Sequence, residues 1–371
     1  MKKKIKIAHL TSVHPRYDTR IFVKECSALA EIENYSVYLI VADEKEDEIV
    51  NRVKILSVGK KKGRLKRLVF SPRVVYKKAL EIDANIYHIH DPELIPAGLK
   101  LKKKGKFVVF DAHEDFPKQL LGKPYLNKYI AKILALLIRL YEKRVFKKFD
   151  FIIAATPYIR NKVLKINKNC VDVNNYPIVE EFSGTSVWED KKDQVCYTGG
   201  LTEARGIWEM VESLSYLNTT KLALAGRFFE LEFEKKVKTN KSWDKVNELG
   251  YLNRKEVALV YKNSKAGLVT LHPLINYLDS LPVKMFEYMA AGIPVIASDI
   301  KLWKSIIEEN ECGVCVNPID TKSIADAIDY VIKNPNESER MGKNGRQAVL
   351  EKFNWNIEKK KLINLYNNIL R

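Results

Sequence analysis

Short apolar runs separated by longer stretches of helical period set the pattern of this chain. Residues 5–10, 35–41, 86–89, 107–111 and 151–156 are compact, mostly apolar runs of strand length. Between them, 18–30, 72–82, 93–103 and 125–149 repeat apolar side chains every three to four positions, as amphipathic helices do. Such alternation predicts an open α/β sheet of parallel strands. The pattern breaks at 171–177, and the segment to Gln194 carries Ser183-Gly184-Thr185-Ser186 and a charge cluster, as linkers do. A second strand–helix series starts at 194–197, and from Ile319 onward the chain reads as helix. At 371 residues the chain is long enough for two domains, each with its own core.

The most constrained stretch is 279–299. It reads as a loop, a helix over 282–291 with Pro282 at the first helical position, a stop at Gly292 and Pro294, and a strand. Apolar runs at 266–271 and 294–297 flank the helix, which makes a parallel unit with a right-handed crossover. Ligands of such sheets sit outside the carboxyl ends of the strands, here on the 272–281 loop and at the helix N-terminus, an end that favours anions. Asp279 and Glu287 mark that place. Glu287 lies on an otherwise apolar helix, a costly position for a charge without a partner. Either a polyol meets it, or it pairs with Lys284 at i,i−3 on an exposed face.

Other candidates follow strand ends. After 194–197 comes Thr198-Gly199-Gly200-Leu201-Thr202-Glu203-Ala204-Arg205-Gly206, where paired glycines, a helix start and one fixed cation suit a diphosphate. The loop 11–17 holds no glycine and is therefore no dinucleotide turn. Its His14, with Asp18 and Arg20 behind it, either contacts a ligand or opens a solvated helix. His88-Ile89-His90-Asp91-Pro92-Glu93 and Asp111-Ala112-His113-Glu114-Asp115 end two further strands. Neither offers the spacing of a helical histidine pair, so no metal is expected, and strand alternation predicts that only one of His88 and His90 faces a site.

The segment 282–296 resembles the Pro-x-Lys-x-(Phe/Leu)-Glu-Tyr-Met-Ala-x-Gly-x-Pro-Val-Ile signature of retaining glycosyltransferases of family four. Asp279 and Glu287 resemble that family's acidic–seven residues–acidic pair, with Asp where Glu is usual. Residues 195–206 add to the resemblance, and 11–25 and 86–115 extend it. It implies the GT-B fold, two Rossmann-like domains facing a central cleft: an acceptor-side domain at 1–172, with 353–371 crossing back onto it, and a nucleotide-sugar domain at 190–352. By the same resemblance Glu287 holds ribose hydroxyls, Asp279 touches the transferred sugar, and His113 points at that sugar. Gly199, Gly200 and Arg205 would hold the diphosphate, with Gly226 and Arg227 at another strand end. Arg227 is the expected second cation, because many members carry Arg at position 200 and Lys at 205. Tyr251 and Leu252 would pass the nucleobase, and Ser280, Leu281, Pro282 and Lys284 complete the donor set. His14, Asp18, Arg20, His90, Glu114 and Asp115 fall on the acceptor side. The implied activity is transfer of a sugar from a nucleotide diphosphate donor, a UDP-sugar, to a saccharide with retained anomeric configuration. No metal or other cofactor is implied. A sugar-nucleotide epimerase or hydrolase on the same fold is the alternative.

The formal net charge of +18 calls for an anionic partner: nucleic acid, anionic lipid or a phosphate-bearing substrate. The basic residues lie mainly on helices and at termini without interleaved aromatics, so nucleic acid is not expected. Basic runs occur at Lys2–Lys4, at Lys60–Lys62 and along 125–149. In the last, Leu126, Ile130, Ile133, Leu134, Leu137, Ile138, Tyr141 and Val145 form one stripe, and Lys128, Lys132, Arg139, Lys143 and Lys147 lie largely on another side. The apolar stripe either packs on its own sheet or meets an anionic membrane. The second reading suits a lipid-linked saccharide acceptor in surface polysaccharide synthesis. Five cysteines form no disulfide framework, and Cys312-Gly313-Val314-Cys315 reads as a strand edge. With no signal-peptide pattern and no run near the roughly 18 apolar residues of a membrane span, a cytoplasmic location is expected, with the inner membrane face as a site of attachment.

Overall fold

The computed structural model describes residues 4–60, 63–122, 126–184 and 187–369, and the chain divides into two units. The first contains Met1–Asn175 and Glu358–Arg371, the second Tyr176–Ile357. Lys2, Lys3, Lys61, Lys62, Thr185 and Ser186, named above, lie outside the described residues.

The first unit is built on an eight-stranded sheet of β1 (Ile5–Leu10), β2 (Tyr35–Val41), β3 (Glu48–Val50), β4 (Val53–Ser57), β5 (Ile86–Ile89), β6 (Phe107–Ala112), β7 (Phe151–Ala154) and β8 (Cys170–Asp172). Their order is β3-β4-β2-β1-β5-β6-β7-β8, with every neighbour parallel except β3 against β4. Chain order reverses between β1 and β5, so the loops at their carboxyl ends, with the end of β6 beside them, frame the crevice where open sheets take ligands. Leu10, Tyr87, Ile89, Val108 and Phe110 head a core that continues onto the flanking helices.

Two elements of this unit depart from expectation. The helix expected over 18–30 begins as a π-helix, Thr19–Cys26, and only Ser27–Ala30 is α-helical. Asp18 caps it, accepting from the backbone N–H of Arg20 and Ile21 at 2.9 Å each. Its own carbonyl receives both Phe22 N–H and Val23 N–H, the widened turn of a π-bulge. Arg20, Lys24 and Glu25 are all buried there. The second departure is the Lys128–Phe146 helix, whose buried residues are Ala131, Ala135, Glu142, Val145 and Phe146. Most of the apolar stripe is turned outward, which goes against the first of its two readings, packing on its own sheet; the helix lies mainly against Phe116–Leu121, with Val145 and Phe146 in the core.

The second unit carries a six-stranded parallel sheet: β9 (Gln194–Thr198), β10 (Lys221–Ala225), β11 (Val246–Gly250), β12 (Ala266–Val269), β13 (Val295–Ser298) and β14 (Gly313–Val316). The order β11-β10-β9-β12-β13-β14 reverses between β9 and β12. The Gly199–Gly206 turn follows β9 and the 270–282 loop follows β12, so both candidate donor segments leave the sheet at its switch point. The helix between β12 and β13 is Val283–Ala290, and Pro282 is its extended cap residue rather than its first helical one. Cys315 lies in edge strand β14, and the five cysteines are free.

Candidate functional site

In the second unit the Gly199 turn is shaped by close backbone crossing. A Cβ on Gly226, at φ +153°, would fall 1.8 Å from the Gly199 carbonyl oxygen, and one on Gly206, at φ +72°, would fall 2.1 Å from that of Thr270. Both positions therefore demand glycine. The Gly199 N–H donates to Ala225 O at 2.9 Å, so it is spent inside the protein. What converges on the turn is side-chain cation. A Cβ on Gly199 would lie 3.3 Å from an Arg205 guanidinium nitrogen and 3.2 Å from Lys284 Nζ. Tyr197 joins the two: its hydroxyl accepts from Lys284 Nζ at 3.0 Å and donates to Gly200 O at 3.0 Å, to which Arg205 also donates at 3.2 Å. Burial lowers the Lys284 pKa and the Arg205 charge adds to this, with Tyr197 opposing. Arg227, expected as the second cation, is exposed, and its guanidinium lies 4.9 Å over the ring of Tyr251. Lys284 takes the place beside Arg205.

Glu287 is 6% exposed and is not paired with Lys284. Its two oxygens meet Arg254 at 2.7 Å and the donating hydroxyl of Tyr261 at 3.0 Å. Tyr261 in turn bonds Thr198 Oγ1 at 2.5 Å, which ties the carboxylate to the end of β9. A carboxylate offers about four acceptor positions, so a vicinal diol still finds lone pairs there. Ser280 is fixed by Trp303, whose indole N–H donates to its carbonyl at 2.8 Å. Asp279, Leu281 and Pro282 are half-buried on the same loop. Leu252 packs on the core, whereas Tyr251 stands 72% exposed. Among the described residues, Thr270 Oγ1 and Asn276 Oδ1 are buried on the 270–282 segment without a hydrogen-bond partner.

In the first unit the switch-point loops gather His14, Asp91, His90, Asp111 and His113. Asp91 receives Ser12 N–H at 2.6 Å and Thr11 Oγ1 at 2.9 Å, and it pairs with His14 Nδ1 at 2.8 Å. Burial alone would raise its pKa, but His14 and these donors hold it down at about 2. Asp111 is fully buried and accepts from Arg20 at 2.9 and 2.7 Å, and His90 Nδ1 and His113 Nε2 lie at 3.1 and 2.7 Å. Against the effect of burial, Arg20 and the two histidines keep its carboxyl well below the usual range. The ionised Asp111 fixes tautomers: neutral His113 carries its proton on Nε2 and leaves Nδ1 as an acceptor. His90 Nε2, likewise bare, meets His9 Nδ1 at 2.9 Å.

Several expected residues are placed otherwise. Arg20 is buried, spent on Asp111 and on Val173 O at 2.7 Å, and is closed to an acceptor. His88 and His90 are both buried with rings 4.4 Å apart: two positions apart on extended chain they share one face, so alternation does not separate them as expected above. Asp115 caps the Phe116–Leu121 helix and pairs with Lys162 at 2.9 Å, while Glu114 is exposed. Sequence reading missed Tyr197, Arg254 and Tyr261, whose partners are tens of residues away and leave no local pattern.

Among the described residues, His9, Glu25, His88 and His90, or His90, Asp111 and His113, could bring ligand atoms to a cation, all within 4.8 Å of one another. In the first group His9 Nε2, His88 Nε2 and both Glu25 oxygens have no hydrogen-bond partner. The Arg20 charge lies 3.2 Å from Glu25 and opposes a cation there, and burial drives the Glu25 pKa well up, towards a neutral acid.

Two parallel α/β units, each with polar groups gathered at its switch point, define a protein of the GT-B fold. The description "Glycosyl transferases group 1" matches residues 179–348 and "Glycosyltransferase Family 4" matches 20–173, and the chain belongs to this family. It is 29% identical over 91 residues, 24% of either chain, to a phosphatidyl-myo-inositol mannosyltransferase of Mycobacterium leprae. The chain spans between about a quarter and three-fifths of the length of the first curated relatives it matches. A sucrose-phosphate synthase of Thermosynechococcus elongatus superposes with a TM-score of 0.80 at 18% identity, covering 99% of each chain. An Anabaena protein in complex with UDP and glucose superposes with a TM-score of 0.75 at 12% identity, covering 98% of this chain and 100% of its own.

Proposed function

We propose that the protein transfers a sugar from a UDP-sugar to a saccharide acceptor with retention of anomeric configuration. The observation that carries this is the convergence of Arg205 and Lys284 on the Gly199 turn, two cations at the switch point of the second sheet. In this reading the two cations stabilise the leaving diphosphate, the task metals perform elsewhere, and no metal is required. Glu287 accepts the ribose hydroxyls, Asp279 meets the sugar, and His113 orients it through Nδ1. The UDP base is supported by the Anabaena complex, a lipid-borne acceptor by the mannosyltransferase's name, and surface polysaccharide synthesis by a 24% identical capsular polysaccharide biosynthesis glycosyltransferase of Staphylococcus aureus. Such an acceptor would put the enzyme at the inner face of the cell membrane.

Thermal-shift screening of sugar nucleotides tests the donor, since a ligand at about 100 times its Kd adds roughly 2.7 kcal/mol. Product analysis with and without acceptor then separates transfer from hydrolysis or epimerisation, and free sugar or an epimer as main product overturns transfer. His113→Ala is expected to keep UDP affinity within about twofold and to lose most turnover; loss of UDP binding itself would contradict its role.

The Lys284 shift adds a pH dependence. A lysine binds diphosphate only while protonated, so UDP affinity should fall as pH rises through its lowered pKa, earlier than for an ordinary lysine near 10.4. Lys284→Arg, which does not titrate there, should remove the early fall in calorimetric titrations. An unchanged profile in that variant would place the diphosphate elsewhere.

A further inference from the structure

The Lys128–Phe146 helix presents three sectors around its axis. At 100° per residue, the buried Ala131, Ala135, Glu142, Val145 and Phe146 fall on one side. On the opposite side, Tyr129, Ile130, Ile133, Leu134, Leu136, Leu137, Leu140 and Tyr141 are 37–78% exposed. Lys128, Lys132, Arg139 and Lys143, all exposed, form a strip along one border between these sectors, and exposed Arg144 lies within the apolar one. The helix has a single carboxylate, Glu142, which is buried and 3.3 Å from Lys162. Its outer surface is thus apolar and basic, without an acid.

Single exposed apolar side chains are ordinary, but six aliphatic and two aromatic ones adjacent on one helix face are not. A helix that buries Ala131, Ala135, Val145 and Phe146 and turns its leucines to solvent has its larger apolar face free for another surface. We propose that this face inserts into the interfacial layer of an anionic membrane, with the helix lying flat along about 28 Å and the basic strip on lipid headgroups. Charge complementarity selects this occupant. A second copy of the chain in a two-fold contact would bring the same surface, and its basic strip would find no acid to pair with. Tyr129 and Tyr141 bracket the apolar sector towards the two ends, where interfacial aromatics sit. No helix among the described residues is long and apolar enough to cross a membrane, so attachment by this face would be peripheral.

The proposal deepens the lipid-linked acceptor reading but does not depend on the donor chemistry, and the two are tested apart. The full chain is floated with vesicles of phosphatidylcholine alone or with phosphatidylglycerol at low salt. Wild type is expected to float with the anionic vesicles at least tenfold better than with neutral ones. Replacing Lys128, Lys132, Arg139 and Lys143 with glutamine should remove that preference. Leu136→Ser, Leu137→Ser and Leu140→Ser together should abolish flotation even at low salt, with circular dichroism and UDP binding unchanged, because these side chains support no core. Ile133→Trp should shift its emission to the blue on anionic vesicles. The proposal is overturned if wild type stays in the soluble fraction at low salt, or if the triple serine variant floats like wild type. It is equally overturned if ultracentrifugation finds a wild-type dimer that the serine variant dissociates.

Discussion

Arg20→Met is expected to destabilise the first unit by about 3–5 kcal/mol, the usual cost of stranding a buried charge. Methionine matches much of the volume of arginine, but Asp111 then keeps only its histidine partners while remaining fully buried itself. The Val173 carbonyl loses its donor as well. The acid arm of the stability profile provides an internal check. In wild type Asp111 has a depressed folded pKa, so its contribution is present above the unfolded value near 3.9 and is lost as pH falls through the folded one. Without Arg20 that depression shrinks, and the variant should lose less stability than wild type on acidification. Urea unfolding at pH 7 and pH 2 measures both effects, and Arg20→Met with Asp111→Asn should recover part of the loss. A pH 7 midpoint equal to wild type would mean that the pair contributes nothing net.

Much of the alternation of strands and helices was legible, because a parallel strand buried on both faces is a continuous apolar run whatever its neighbours are. β1, β2 and β5 fall on the residues read as strands. β3, β4 and β8 did not show, being three to five residues long and, in β4, interrupted by Lys54. The Lys128–Phe146 helix marks a different limit. Its periodicity announced a helix correctly, yet the stripe of large apolar residues points away from the buried side. Hydrophobic period says where apolar side chains cluster on a helix but not which of those clusters the fold buries.

The candidate site divides in the same way. Asp279, Glu287, Gly199 and Arg205 stand in one compact motif and one turn, and each could be named from spacing and residue type. Their partners could not. Arg254 reaches Glu287 from a helix 33 residues upstream, and Tyr197 links Lys284 to Arg205 across two strands, contacts that only the β9–β12 switch point creates. Arg20 and His90 looked like ligand-facing polar groups in sequence for a related reason. A buried charge network and a binding loop use the same residue types, and only burial tells them apart.

Glu287→Ala is expected to weaken UDP binding by about 10- to 150-fold, the equivalent of roughly 1.5–3 kcal/mol for lost hydrogen bonds to a charged group. The surrounding contacts make this a binding effect more than a folding one. Arg254 keeps Glu181 at 2.5 Å, and the Tyr261 hydroxyl keeps Thr198, so neither former partner of Glu287 is left without a bond. Glu287→Gln retains one acceptor oxygen and the side-chain shape but not the charge, and it should fall between alanine and wild type. Asp279→Ala should cost less UDP affinity than Glu287→Ala, because in the proposed reading Asp279 meets the sugar, which UDP lacks, whereas the ribose is present in every nucleotide. Calorimetric titration with UDP and with a UDP-sugar reads both quantities, and thermal unfolding without ligand controls for damage to the fold. If UDP affinity is unchanged in Glu287→Ala while the apo protein unfolds as wild type does, Glu287 is a buried structural partner of Arg254 and the ribose lies elsewhere.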